Sequence, residues 1–516
     1  MNERTSTPTT GATVLRGGMW NLANRALPQL YLAIISVAAA RFLGPDGFGR
    51  QSFIAFAEIS LILVLTAGVP QAVMRYVADA VGRGDPPTVR GVAIWGWRLE
   101  SGAAVMAALA LAAVAVGGGE PRAAWLFAAV AAAAGIVSST SISFLQGLQR
   151  WRGPALIILG TGAVGAAAQV TVLAAGGGIT GMFAVEAARS IWSLILLTTS
   201  ARRQANRVAS ASRFEPGLRR EAIRYALLAS LSGALTLIIW RRSELFFLER
   251  YSSDAQIGFY TIAFTAATMP VLIFQGITAT MIPAVATLFG AGQTARIRTG
   301  FSRALRMLLL VALPGTAAAF ALGPETVLLL YGKDFHAVQP VLLILLALIP
   351  YAALVYLGTS LLGAVGRLKP MLMAGIVASV VDIGLCFLLI PRYDAVGAAI
   401  ANASAQLTVG VPVIVVSWRV LGTVRWEPSM VARVSFSSAA GGAAAWACVE
   451  LLPGVAGVAA GAALGIGAFS LLAAMLRILP ADDAAWLDDV LGRMFGGSVG
   501  WLIRLWAGPE PRTRAA

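Results

Sequence analysis

Charge is scarce in this chain: Asp, Glu, Lys and Arg make up only 12% of its 516 residues, against about a quarter in an ordinary soluble domain. Hydrophobic residues reach 58%. That balance excludes a water-soluble enzyme or binding module. Cysteine is nearly absent, and Cys386 and Cys448 fall in separate apolar runs without ligand spacing. A disulfide framework and a thiolate metal centre are excluded, and both residues are read as packing. The lone histidine, His336, is read as a solvated residue at an outer helix end. No metal or organic cofactor is expected. Lys333 and Lys369 are the only lysines, a bias that codon usage alone would produce.

Apolar runs are what the sequence holds in quantity. At about 20 residues per crossing, spans are predicted near 19–43, 50–74, 91–117, 123–147, 154–175, 179–200, 223–248, 256–284, 302–323, 337–364, 370–390, 396–419, 432–452 and 455–479. The expected fold is all-α and polytopic, with about fourteen transmembrane helices. A net charge of +15 would suggest nucleic acid in a soluble protein, but here the arginines alternate from loop to loop. Arg75, Arg83 and Arg90, then Arg150 and Arg152, then Arg202, Arg203, Arg207, Arg213, Arg219 and Arg220, all fall in even-numbered connections. The odd-numbered ones hold at most one or two basic residues, such as Arg122 and Lys333. The positive-inside rule then places both termini on the cytoplasmic side of the cell membrane, and no nucleic-acid partner is expected.

The chain is also duplicated. Ala40-Arg-Phe-Leu-Gly-Pro-Asp-Gly-Phe-Gly49 is echoed by Glu249-Arg-Tyr-Ser-Ser-Asp-Ala-Gln-Ile-Gly258, and the same offset pairs Arg41 with Arg250, Gly49 with Gly258 and Phe53 with Ile262. A second echo sets Ser143 to Arg152 beside Ser360 to Lys369. The repeat is therefore six helices plus six, a pattern of transporters that hold substrate between their halves. Residues 26–40 mimic a signal peptide's apolar region, but the repeat makes this span integral. The expected organisation is a tail at 1–14, an N-lobe at 15–200, a hinge linker at 201–222, a C-lobe at 223–421, two extra helices at 432–479 and an amphipathic tail at 480–516. That tail is expected at the membrane surface, and residues 75–89 and 286–300 are expected as inner-surface helices. Pro270, Pro283, Pro314 and Pro350 are candidate kinks.

Polar residues inside the spans are the candidate site. The seventh span contains Ile239-Trp-Arg241-Arg242-Ser-Glu244, and Arg241 lies nine residues inside Arg250, about 13 Å deep at helical rise. Glu244 can neutralise Arg241 one turn away, but not two arginines on different faces. Such residues face a wet cavity or a partner rather than lipid. The other copy has Leu32, Ala33 and Ile35 in the corresponding places, so this centre is not duplicated. Asn21, Asn24 and Arg25 recur at helical spacing in the first span, where snorkelling of Arg25 is the competing reading. Glu186 and Arg189 form a same-face pair, and Arg98 and Glu100 share the third span. Glu58 and Asp382 have no intrahelical partner; pairing with Arg25 or Arg241, or carrying a coupling proton or sodium ion, are the two readings. Gln275, Gln169, Asn402 and Gln406 are candidate sugar contacts or helix–helix glue.

Several segments together resemble the polysaccharide transporter and O-antigen flippase family, of the superfamily that also holds multidrug exporters and the lipid II flippase. They are Ala40-Arg41-Phe-Leu-Gly44-Pro45 with Phe48-Gly49; Glu244 before Ile257-Gly258-Phe-Tyr260; Leu330-Tyr-Gly332-Lys-Asp-Phe335; Gly366-Arg367-Leu-Lys369; and Ile390-Pro391-Arg-Tyr393 through Gly397-Ala-Ala399. The family usually has Asp at the place of Glu244 and Gly at the place of Asp394. The resemblance implies two lobes around a central cavity and a flippase for polyprenyl-diphosphate-linked oligosaccharide, working by alternating access without covalent chemistry. Arg241, Arg242 and Arg25 would then meet the diphosphate, and Asn21, Asn24 and Gln275 the sugar. Glu244, Glu58, Asp382, Glu186 and Arg189 would serve charge pairing or ion coupling. Expected partners are the lipid-linked saccharide, the bilayer and polysaccharide polymerase machinery, with the chain acting as a monomer. A lipid II flippase and a multidrug or cation antiporter are the rivals of like architecture. A glycosyltransferase or polymerase is the rival of another class, and would need a catalytic carboxylate or a large outer domain.

Overall fold

Backbone in lipid must satisfy its polar groups within its own segment, so apolar spans become helices. The computed structural model describes residues 11–66, 68–240, 243–422, 427–495 and 505–507. Among these the helices are α1 (Gly11–Thr66), α2 (Val69–Gly82), α3 (Pro86–Val116), α4 (Arg122–Gly147), α5 (Arg152–Ala174), α6 (Gly178–Val208), α7 (Pro216–Trp240), α8 (Glu244–Tyr251), α9 (Asp254–Gly290), α10 (Thr294–Tyr331), α11 (Val338–Leu346), α12 (Ile349–Ala364), α13 (Leu368–Leu421), α14 (Pro428–Leu451), α15 (Val455–Leu476) and α16 (Ala481–Phe495). No sheet occurs among the described residues; Leu479 and Ala507 form an isolated bridge.

Nine of these helices are long and apolar enough to cross a membrane, or ten if α11 and α12, bent by 42°, form one span. Two of the nine each hold two predicted spans. The 56 residues of α1 would run about 84 Å if straight, against a hydrocarbon core of about 30 Å. The helix breaks at Gly44, where φ is 71° and ψ is −179°, a conformation that costs little only without a Cβ. α13 breaks in the same way at Asp394, with φ 48° and ψ −130°. With these breaks counted, and with α7 and α14 at the seventh and thirteenth predicted positions, every expected span has a helix among the described residues. Pro350 stands beside the α11–α12 bend, while Pro314 sits inside α10.

Boundaries differ at the second span. It ends at Thr66 rather than 74, and the separate α2 buries Val73, Tyr76 and Val77 on one side while Val81 is 49% exposed. The corresponding stretch of the other copy forms no separate helix, because α9 runs on to Gly290 and α10 starts at Thr294.

The chain forms two compact units, Met1–Glu249 with Ser253–Gly258, and Arg250–Ser252 with Phe259–Ala516. This boundary lies past the seventh span, not at the 201–222 linker where the repeat divides. The linker itself supplies the reason. α6 persists to Val208, and the remaining 209–215 is strapped to α3 rather than hanging as a free hinge. Arg90 donates to the carbonyls of Ala209 (2.8 Å) and Ser210, and the Arg213 N–H donates to Pro87 O (2.9 Å). Phe214 meets Trp95 edge-on at 5.5 Å. A Cβ on Gly91 would collide with the Arg213 carbonyl. α7 then follows α2, with Tyr225 against Tyr76 and Arg75 over the Tyr225 ring at 4.6 Å. Val73, Val77, Val92, Phe144 and Ala205 close this core.

At the other end of the first unit the repeated segments meet each other. The Ala255 N–H donates to Asp46 Oδ1 (3.2 Å), its counterpart in the repeat, and Arg50 bridges Glu249 (2.8 Å) and Asp254 (3.1 Å).

In the second unit α10, α14 and α15 pack together, and the tail docks on them. The tail is not a free surface helix. Asp483 is fully buried at the start of α16, taking hydrogen bonds from Arg303 Nε (2.9 Å), Arg306 Nε (2.5 Å) and Arg306 Nη2 (3.0 Å). Arg303 also lies 5.4 Å from the Trp486 ring. Leu479 donates to Trp506 O (3.0 Å), and Met430, Val434, Ala473 and Ile478 pack beneath. Two arginines on one turn of α10 need an acid, and the helix that supplies it is held against the protein.

Candidate functional site

In the first unit, three helices bring polar groups into the apolar interior. α6 carries Glu186 and Arg189 one turn apart, and Arg189 donates to Glu186 Oε2 through Nε (2.9 Å) and to Oε1 through Nη2. α5 contributes Gln169, whose Nε2 donates to Glu186 Oε2 (3.0 Å). Gly165, one turn earlier, makes the approach possible, since a Cβ there would collide with Cδ of Arg189. Ser190 Oγ accepts from Arg189 at 3.4 Å. The part of α1 after Gly44 adds Glu58, which is 8% exposed and feels both the Glu186 carboxylate and the Arg189 guanidinium.

The set therefore has two carboxyls and one guanidinium. With both acids ionised it holds one excess negative charge, which one proton or one monovalent cation would neutralise. Glu58 thus joins the span-six pair, a third partner that periodicity within one helix could not reveal.

Other buried polar groups lie outside this set. Glu100 on α3 is fully buried and neither oxygen has a hydrogen-bond partner among the described residues, whereas Arg98 on the same helix is exposed. The two do not share a face. In the second unit Gln275 donates to Tyr356 Oη (2.7 Å), Tyr351 donates to Leu407 O (2.8 Å) and Gln406 donates to Asn402 Oδ1 (2.6 Å). Tyr351 and Tyr356 were not singled out from the sequence; a tyrosine inside a span is the signal that could have found them. Asp382 is fully buried, with Cys386 Sγ 4.0 Å from its Oδ1.

Glu244 is fully buried in the first turn of α8. Arg241 and Arg242 lie outside the described residues. Asn21, Asn24 and Arg25 are on α1, and their side chains also lie outside the description. No group of three or more His, Cys, Asp or Glu able to hold a metal occurs among the described residues.

The family model described as polysaccharide biosynthesis protein matches residues 14–289, and the model for the lipid II flippase MurJ matches residues 247–455. No curated protein matches the chain. Among solved structures it is similar to the lipid II flippase MurJ in an inward closed conformation, with 12% identity, a TM-score of 0.68 and coverage of 90% of this chain and 99% of that one. It is similar to an inward-facing multidrug resistance MATE family transporter of the MOP superfamily, with 14% identity, a TM-score of 0.63 and coverage of 78% and 98%. A MOP superfamily transporter from Pyrococcus furiosus gives 13% identity, a TM-score of 0.55 and coverage of 80% and 96%. At these identities the likeness is one of fold.

Proposed function

Since the chain belongs to the polysaccharide biosynthesis protein family, whose model spans more than half of it, we propose that it flips a polyprenyl-diphosphate-linked oligosaccharide from the inner to the outer leaflet of the cytoplasmic membrane. It does so by alternating access, for the assembly of cell-surface polysaccharide, with both termini in the cytoplasm. The physical task is to carry a diphosphate and a hydrophilic sugar through a region where an uncompensated charge costs several kcal/mol. Guanidinium groups hold their charge at any relevant pH and fork onto phosphate oxygens, and amides replace water around hydroxyls. Arg241 and Arg242, with Arg25, are assigned to the diphosphate; Asn21, Asn24 and Gln275 to the saccharide.

The observation that carries the substrate reading is the run Arg241-Arg242-Ser243-Glu244, which falls within the seventh apolar run of the sequence and has no counterpart in the other copy of the repeat. It favours an anionic cargo over the cation that a drug antiporter would handle. The excess charge of Glu58, Glu186 and Arg189 is assigned to coupling with a proton or sodium ion. Deleting the gene and identifying the lipid-linked saccharide that accumulates tests the assignment. Accumulation of a surface-glycan precursor supports it, and an unchanged pool of lipid-linked sugars overturns it.

The match of residues 247–455 to the lipid II flippase model favours a second reading, in which the cargo is the peptidoglycan precursor. The same experiment separates the two, because lipid II would then be the species that accumulates.

A further inference from the structure

A cavity of about 280 Å³ opens on the arginine-rich side of the first unit, among α2, the turn into α3, the turn between α4 and α5, and the last turns of α6. At about 30 Å³ per water in the liquid, it would hold on the order of nine waters, so it is too large for a lone ion. Val81, Val89, Leu148 and Val208 supply apolar wall, and the polar groups are Asp85, Arg150 and Gln204.

The acids here are already engaged. Asp85 takes both the N–H and the hydroxyl of Thr88, at 3.2 and 2.6 Å, and Asp79 pairs with Arg83 at 2.9 Å. Arg150 has neither an ion pair nor a side-chain hydrogen bond among the described residues, and the same holds for Arg203 and Arg207. Those two lie on α6 beside the stripe of Gln204 and Val208 that lines the cavity. Apolar rim is exposed as well, with Val81 49% and Trp151 37% accessible. Uncommitted guanidiniums over an apolar cleft, beside an amphipathic helix and an exposed tryptophan, match an anionic amphiphile at a membrane surface.

We propose that this cavity binds the headgroup of an anionic phospholipid from the adjoining leaflet, with Arg150 on its phosphate, Gln204 on a headgroup hydroxyl, and Val81 and Trp151 against the upper acyl chains. None of the lining residues is among those assigned to transport, and the proposal does not rest on the flippase reading. The test is native mass spectrometry of the delipidated full-length protein with added phosphatidylglycerol or phosphatidylcholine. Phosphatidylglycerol should be retained about tenfold better than phosphatidylcholine. Arg150→Gln should remove that preference, whereas Arg296→Gln in the second unit should keep it. Val208→Trp, which fills the cavity without removing a charge, should lose the lipid and decides the matter if Arg150→Gln does not fold. Equal retention of the two lipids, or an unchanged preference in Arg150→Gln and Val208→Trp, overturns the proposal. Displacement of phosphatidylglycerol by equimolar inorganic phosphate would make the site one for a free anion and overturns the lipid assignment too.

Discussion

Gly49 and Gly258 hold equivalent places in the two copies of the repeated segment, and they are packed backbone to backbone. A Cβ on Gly49 would run into the Asp254 carbonyl and lie 3.1 Å from Gly258 N; one on Gly258 would lie 3.0 Å from Pro45 O and 3.3 Å from Gly49 N. The duplicated motif is thus its own packing partner, which gives a physical reason for glycine in both copies. Gly49→Ala should destabilise the protein by about 3 kcal/mol or more, since the obstruction is backbone and cannot rotate away. Gly290→Ala, with nothing within 4 Å of a new Cβ, should be neutral or gain up to about 1 kcal/mol. Thermal unfolding in detergent checks both, and equal melting points for the two variants would rule out the tight approach.

Asp394 occupies a backbone region open to glycine, with φ 48° and ψ −130°, and its Oδ1 accepts a 2.6 Å hydrogen bond from Ser252. A side chain in such a region costs of order 1–3 kcal/mol, against about 1 kcal/mol returned by the bond. Asp394→Gly is therefore expected to be neutral or stabilising, and Asp394→Ala, which keeps the strain and loses the bond, destabilising by about 1 kcal/mol. Denaturation midpoints of the two variants measure the difference. A less stable Asp394→Gly would show that the bond outweighs the strain.

Much of the scaffold was legible because lipid leaves the backbone few choices. The predicted gaps at 43–50 and 390–396 fall on the breaks at Gly44 and Asp394, where turn residues interrupt apolar runs. The linker misled because arginine content reports which side a loop lies on, and not what the arginines bind. Arg90 finds the carbonyls of Ala209 and Ser210, and carbonyls leave no mark in a sequence. The docking of the tail was hidden for a similar reason: Asp482-Asp483 reads as an acidic helix start, while the partners of Asp483 lie about 180 residues earlier. At the candidate site, Glu186 with Arg189 was visible as a one-turn pair, but the addition of Glu58 depends on how α1 packs on α6. The Arg241–Arg242 centre remains an inference from the sequence, since both residues lie outside the described ones.

Asp85 is the capping residue of α3, and its two hydrogen bonds from Thr88 hold its carboxyl below the usual aspartate range. A carboxyl depressed in the folded state stabilises it above the unfolded pKa, and that contribution is lost as pH falls through the lower folded value. Wild type should therefore lose stability relative to Asp85→Asn as the solution is acidified below about pH 4, because asparagine also caps and does not titrate there. Melting curves of both proteins between neutral pH and pH 3 test this. A constant difference across that range would mean that the Asp85 charge takes no part in holding the helix end.

Asp483 pairs with two arginines at once, with no exposure of its side chain, and Glu427 adds a second carboxylate 3.6 Å from Arg306. Removing one member of a buried charge set leaves the others uncompensated, at a cost of about 3–5 kcal/mol. Arg303 and Arg306 are 29% and 13% exposed, so water offsets part of that cost and about 2–3 kcal/mol is expected for Asp483→Ala. The variant should also release the tail, making the segment after residue 480 sensitive to limited proteolysis from the side that carries it. Arg306→Met together with Asp483→Leu should recover part of the loss, because it removes the less exposed arginine along with its acid and leaves only Arg303, which is 29% exposed and can be hydrated. An undigested tail in Asp483→Ala would show that Leu479, Trp506 and the apolar contacts suffice to hold it.

The proposed coupling set makes a sharper demand. If the excess negative charge among Glu58, Glu186 and Arg189 carries the coupling ion, then Glu58→Gln should abolish the response of transport to an imposed proton or sodium gradient while the protein still folds. Glu58 is the member to change, since among the described residues it makes no hydrogen bond to the pair yet supplies the surplus charge. Glu186→Gln should do more harm, because Arg189 and Gln169 both donate to that carboxylate, and a half-buried guanidinium that loses its hydrogen-bonded acid, with only Glu58 left to balance its charge, costs about 1.5–3 kcal/mol. Arg189→Gln leaves two carboxyls facing each other and should make function and stability depend steeply on acidity. Reconstituted vesicles with a lipid-linked oligosaccharide inside, a gradient of either ion and a probe of outward exposure provide the assay. Full gradient response in Glu58→Gln, at normal protein yield, would mean that the three residues only hold the helices together, and the coupling ion would have to be sought at Asp382 or Glu244.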